Sequence, residues 1–392
     1  MQIHEQSTAR PIAKVASVAK VGTIARVGTS ALALRSSALV ARGLRDLARD
    51  SNWLIKKIFS GHSQQLAISS AGQVCAISTH IHHGTPQVAL YDLELSVPTM
   101  ALTVHDAPQG DSKHGRADSP AVFAWSPDAR YLAGAWNGWP AGLHLFDLHG
   151  KLYLGKFGSE KAETVRHPAS LAWSDSGDFF VATSRGKNAS LRLWEPKGGP
   201  LAGEAVREIL EADWIEPQQA GEEFAEEGAF GGYGRAAFSP NEEALASVIE
   251  FRGEWADDSI VVADVATLSR RKVFGAQGHV TDLTWTPDSE QIVYCSAGQA
   301  YRLEPGSVNA EPLTFGAELC VCHPHLPLCV CFSSWLKNSA KGRLFLTDLN
   351  RATIFDEYPA EGVVDLRWSA DGSKAYAVTR DGMAYIYEPP LI

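Results

Sequence analysis

The 392-residue chain has no run of 18 apolar residues, so no segment is expected to span a bilayer as a helix. It lacks the G-x-x-x-x-G-K-[ST] and G-x-G-x-x-G phosphate loops and the G-x-S-x-G nucleophile elbow. The backbone cradles and strained serine on which those chemistries depend are therefore not signalled. No catalytic residue and no cofactor is expected. Cysteine is scarce: six residues, of which Cys75 and Cys295 stand apart and four fall between 320 and 331. A chain of this size does not need disulfides for stability, and the count fits a reducing compartment.

Acid is also absent where base is concentrated. Residues 6–45 contain no Asp or Glu, and residues 1–45 carry seven Lys/Arg against Glu5, a net +6. The whole chain is −10, which leaves −16 for the remainder. An acidic body repels phosphate backbones, so duplex nucleic acid is not an expected partner of that body. Residues 14–28 repeat a polar, β-branched, small triplet whose period of three does not match a helix. Residues 31–49 are better helix formers, with Leu34, Val40, Leu44 and Leu47 loosely on one side. We assign 1–52 to a basic arm serving as targeting signal, tether or amphipathic helix. A cytoplasmic location is expected, with mitochondrial or membrane-peripheral placement through the arm as the alternative.

What the chain does have, from residue 66 onward, is a repeat. A hydrophobic strand ends in an apolar residue followed by Ser, Thr or His. A turn, a second apolar strand, a polar loop and a third strand ending in an acid follow. The clearest copy reads FAWSPDARYLAGAW (123–136) with LHLFDL (143–148). The turn anchors are Ser69, Ser126, Ser174, Ser239, Thr286, His323 and Ser369, spaced by 37 to 65 residues. Before them stand Ile68, Trp125, Trp173, Phe238, Trp285, Cys322 and Trp368. Seven copies at this spacing predict seven four-stranded blades. Segments 151–157 and 271–276 read as fourth strands. The last copy has none before the chain ends, so 53–59 is expected to close the ring by pairing around Tyr385–Tyr387, leaving no free edge.

These residues resemble the WD-repeat and WD-like propellers over about 330 residues. The resemblance implies an all-β, seven-bladed β-propeller at 53–392, closed by an N-terminal strand, and a divergent one. No blade ends in Trp-Asp, and Gly-His pairs occur only at Gly61-His62 and Gly278-His279. Such folds host many roles. The expected role is a non-catalytic scaffold that binds a protein or peptide, including as a subunit of a larger complex. The alternative is a propeller enzyme or small-ligand binder. The Ser-x-Asp-x-Gly box of sialidase propellers is not met, since Ser174-Asp175-Ser176-Gly177 puts the acid one place early.

In this architecture, loops joining second to third strands share a face with loops joining blades. That face should carry 79–87, 136–142, 250–259 and 334–342, with blade-joining loops 105–120 and 211–234. Aromatic and cationic residues there are hot-spot types. They nominate Trp136, Trp139, Phe251, Arg252, Trp255, Trp335 and Lys337 for partner binding, against a reading in which the aromatics plug loop stems. The 211–234 segment holds seven acids and no Lys or Arg. It is read as a solvated acidic loop or as a dock for a basic segment. A membrane surface is a further candidate partner, through the arm. His80, His82 and His83 share a loop and are weak metal candidates without a completing carboxylate motif. Cys320-x-Cys322 and Cys329-x-Cys331 lie on expected strands, which favours buried apolar filler over a metal site or a cross-strand disulfide.

Overall fold

In the computed structural model, the described residues are 53–58, 66–77, 87–103, 120–136, 142–150, 152–156, 168–186, 189–194, 207–210, 230–251, 257–305, 307, 309–334 and 342–389. The chain divides into two units, Met1–Arg45 and Asp46–Ile392. The basic arm lies outside the described residues. The fold is an all-β propeller. Among the described residues, no helix is long and apolar enough to cross a membrane.

Among the described residues, the strands form seven antiparallel four-stranded sheets. Numbered along the chain, their first strands are Leu66–Ile68, Pro120–Trp125, Pro168–Trp173, Phe230–Phe238, Val280–Trp285, Leu319–Cys322 and Val363–Trp368. Each first strand contacts the next, and the last contacts the first, so these strands ring the axis. Trp53–Lys57 pairs with Met383–Tyr387 and places Ile55 opposite Tyr385. The outermost strand of blade 7 is thus supplied from the N-terminal side, which joins the two ends of the ring.

The core is distributed between blades. Among the described residues, seven apolar clusters occur, each built from two neighbouring blades. Second strands are therefore buried on both faces, as in Phe180–Ser184 and Ile292–Ser296. That removes the alternation of a one-sided sheet. Outer strands such as Thr353–Pro359 retain exposure.

Burial of all seven turn anchors explains the choice of Ser, Thr or His. Ser126 Oγ accepts from Tyr131 N at 2.8 Å and donates to Asp128 at 2.5 Å. The hydroxyls of Ser174, Ser239, Thr286 and Ser369 likewise accept from the amide five residues on, at 2.9–3.1 Å. His323 takes the same role with Nδ1, which accepts from His325 N at 2.9 Å and Leu326 N at 3.0 Å.

Two kinds of hydrogen bond fasten blade to blade. Trp125, Trp285 and Trp368 donate Nε1 to Ala67, Ala237 and Val321 of the preceding blade, at 3.0, 3.0 and 3.1 Å. Blades 1, 4 and 6 carry Ile68, Phe238 and Cys322 instead. There an acceptor on the preceding blade takes a first-strand amide. Asp365 accepts from Ile68 N at 2.7 Å, Ser170 from Ala236 N at 3.3 Å and Asp282 from Cys320 N at 3.0 Å. Blade 3 is the exception: Trp173 Nε1 is buried without a partner, and its ring stacks on Tyr131 at 6.5 Å.

The segment 211–234, expected to be loop throughout, is strand from Phe230 onward. The reason is packing: Tyr233 is fully buried in the blade 3–4 cluster, and glycines on either side let neighbouring backbone approach.

Candidate functional site

The loop face of blades 3 to 5 carries a polar cluster built from strand ends. Arg185 follows the second strand of blade 3, and Glu250 lies near the end of the second strand of blade 4. Arg185 grips Glu250 in bidentate fashion, Nε to Oε2 and Nη2 to Oε1, both 2.5 Å. The guanidinium side chain is 52% exposed and the carboxylate 20%. The Glu250 hydrogen bond holds the Arg185 guanidinium above its usual range.

Beneath this pair runs the glycine-rich start of blade 4. A Cβ on Gly232, whose φ is +127°, would stand 2.4 Å from Arg185 Cα, and one on Gly234 2.4 Å from Glu250 Oε1. At Gly232 the clash is with backbone and φ is positive, so only glycine permits the approach; at Gly234 a Cβ would displace the Glu250 carboxylate. Gly186 N donates to Gly231 O at 3.0 Å, and Thr183 Oγ1 to Gly234 O at 2.6 Å. Blade 3 thereby extends its hydrogen bonding onto the inner strand of blade 4.

Asp258 orders the next stretch of the face. It is 1% exposed. Its Oδ1 accepts from Phe251 N at 3.2 Å and lies 3.3 Å from His279 Nδ1; its Oδ2 accepts from Val280 N at 2.8 Å. Burial pushes this carboxyl up, and those hydrogen bonds oppose the shift. Asp257 caps Gly278 N at 2.6 Å. The His279 side chain remains 59% exposed.

Deeper along the inner strands, Arg235 Nε sits 3.1 Å from Asp282 Oδ1, with side chains 42% and 12% exposed. Asp282 first, and then Asp365 from three blades farther round the ring, hold the Arg235 guanidinium above its usual range. Burial raises the Asp282 carboxyl to about 7 despite Arg235, and burial also raises Asp365. These groups are paired with cations or backbone amides.

Of the sequence candidates, Phe251 is half-buried against the blade 3–4 cluster, with its amide fixed by Asp258. Trp136 ends the second strand of blade 2. Trp139, Arg252, Trp255, Trp335, Lys337, His80, His82 and His83 lie outside the described residues. Sequence reasoning missed Arg185, Glu250, Asp258, Arg235, Asp282 and Asp365. Asp282 and Asp365 were visible as acids three places before Trp285 and Trp368. Nothing in the sequence pairs Arg185 with Glu250.

Five of the six cysteines occupy the core between blades 5 and 6. Cys295, Cys320, Cys322, Cys329 and Cys331 are free and buried. Burial raises the Cys329 and Cys331 thiols, so they stay protonated at neutral pH. His323 Nε2 faces Gly372 O at 3.1 Å, which leaves neither ring nitrogen open to a ligand. Among the described residues, no three His, Cys, Asp or Glu side chains are grouped to hold a metal ion.

No protein-family model matches the chain, and no curated protein matches it. Among solved structures, hydrazine synthase of Kuenenia stuttgartiensis is similar with a TM-score of 0.61 and 13% identity, covering 86% of this chain and 98% of that one. The β-propeller domain of Myceliophteria thermophila Cps50 (Swd1) is similar with a TM-score of 0.56 and 14% identity, covering 86% and 100%. At such identities the likeness shows the propeller fold.

Proposed function

We propose that the chain is a non-catalytic scaffold, a seven-bladed WD-like propeller that binds a protein or peptide through its loop face. The observation that carries this reading is the cluster at blades 3 to 5. There Arg185, Glu250 and His279 are held in fixed geometry by buried Asp258 and by the glycine-rich strand, yet remain accessible. Fixed, partly exposed charge beside an aromatic residue is what a polar recognition surface requires. Likeness to the Cps50 (Swd1) propeller domain supports a WD-type relationship.

The test is affinity purification with mass spectrometry on the full chain and on an Arg185→Glu, His279→Ala variant. Both substitutions fall on half-exposed side chains, so the melting curve should hold while a specific partner set is lost. Recovery equal to wild type would reject the loop-face reading. Turnover by the purified chain that disappears on changing His279 would replace it with an enzyme.

A further inference from the structure

Across blades 3 to 5, three basic side chains are each backed by a carboxylate: Arg185 by Glu250, Arg235 by Asp282 and His279 by Asp258. In every pair the basic side chain is about half-exposed, whereas the carboxylate is mostly or fully buried. Nitrogen atoms face solvent, and the oxygen atoms that hold them lie beneath.

The three pairs are joined. Glu250 rests on Gly234, the residue before Arg235; a Cβ there would lie 2.4 Å from Glu250 Oε1. Asp282 stands two residues after Val280, whose amide donates to Asp258 Oδ2 at 2.8 Å. The Arg185 guanidinium is held above its usual range first by Glu250, with Asp258 adding to the effect and Arg235 opposing it. Arg185 is thus within electrostatic reach of both neighbouring pairs.

The inner carboxylates are committed to the fold. Asp258 also accepts from Phe251 N at 3.2 Å, and Asp282 Oδ2 accepts from Cys320 N at 3.0 Å. The guanidinium groups have capacity left. Each carries five N–H donors. Among the described residues, Arg185 commits Nε and Nη2 to Glu250, and Arg235 turns Nε to Asp282. Burial raises the Asp282 carboxyl to about 7, so near neutral pH its charge is only partly present and Arg235 is incompletely neutralised.

Exposed donors above buried acids complement an acceptor group with negative charge. Charge-assisted bonds from arginine to a carboxylate are the strongest polar contacts open to such a surface. A basic segment would meet the guanidinium groups before it reached a carboxylate. The −16 carried beyond residue 45 repels a long polyanion, which favours a segment with one or two acids.

We propose, building on the loop-face reading above, that the partner engaged there is a peptide segment bearing one or two Asp or Glu side chains, whose carboxylates Arg185 and Arg235 hold with His279 beside them.

The test is selection of a displayed random-peptide library on the full chain, followed by fluorescence anisotropy of the enriched peptides. Enriched sequences should carry Asp or Glu. Their affinity should fall at least about tenfold on Arg185→Gln, Arg235→Gln, and as far when the peptide's acids become amides. If that variant melts early, Arg185→Gln, His279→Gln serves, since both side chains are half-exposed. Neutral or basic peptides that lose affinity on the variant would overturn the acidic partner and leave the loop-face reading standing. Equal binding to wild type and variant, or no enrichment at all, would overturn both.

Discussion

Acid should loosen blade 6 through a single side chain. His323 is 5% exposed and takes the place of a turn serine. Its Nδ1 accepts two backbone amides, and its Nε2 donates to Gly372 O. A second proton would have to sit on Nδ1, facing two N–H donors. Burial lowers the imidazole from 6.5 to about 4; the Gly372 carbonyl and Asp371 oppose this, and His325 adds to it. Because the folded value lies below the unfolded one, the stabilisation is complete above about pH 6.5. It is lost as pH falls through 4, for a total of up to about 3 kcal/mol.

His323→Ser installs the turn serine found in five other blades and cannot titrate. It also removes a ring that packs on Trp368 at 4.6 Å, a loss of roughly 1–3 kcal/mol. Urea midpoints of both proteins, taken from pH 7.5 to 4, give the gap between them. The wild type should be the more stable at pH 7.5, and the gap should shrink by up to about 3 kcal/mol at the acid end. A gap constant to within about 0.5 kcal/mol would refute the neutral, doubly accepting imidazole.

Three further outcomes are expected. Trp368→Phe removes a donor from Val321 O and should cost about 1 kcal/mol more than Trp173→Phe, whose indole N–H has no acceptor to lose; urea midpoints that reverse this ranking would contradict the fastening described here. Asp365→Ala orphans Ile68 N and should cost about 1–3 kcal/mol, with Asp365→Asn milder because it keeps an acceptor; chemical melts decide. Asp282 has a folded value of about 7, above its unfolded one. Its contribution therefore falls as pH rises from about 4 to 7, and Asp282→Asn should flatten stability between pH 5 and 8, read by thermal melts.

The sequence made the repeat legible because each copy keeps two requirements: an apolar residue entering the core and an acceptor that closes the turn. Ser, Thr and His all satisfy the second, and that is why His323 aligned with serines before its hydrogen bonds were known. The closing strand was legible by elimination, since the last copy had no fourth strand to offer. The polar cluster was not. Arg185 and Glu250 are 65 residues apart, in different blades, and repeat alignment treats each blade by itself. The extra length of the Phe230–Phe238 strand was hidden for a related reason. Its glycines read as loop, although they are what allow Arg185 and Glu250 to settle on that strand.

The fastening between blades shows how the repeat could diverge so far without losing the ring. An indole can bond back to the preceding blade, or the preceding blade can offer a carboxylate or hydroxyl forward. Blades 2, 5 and 7 use the first, and blades 1, 4 and 6 the second. Loss of a tryptophan is thus matched by a polar residue one blade away, which keeps a hydrogen bond at every junction but that of blade 3, where Trp173 Nε1 is unpartnered, while changing which residue supplies it. Asp282 and Asp365 are tied to this duty, so the inner ring is constrained by assembly before any ligand is considered. Arg185, Glu250 and His279 are not needed for fastening of that kind: the Arg185–Glu250 pair stands above a junction already closed by Ser170, Thr183 and Gly186, and His279 leans on Asp258 with its side chain 59% exposed. Charge held in place at a junction that does not depend on it is free for the recognition proposed above, and this separation is the physical argument that supports that proposal.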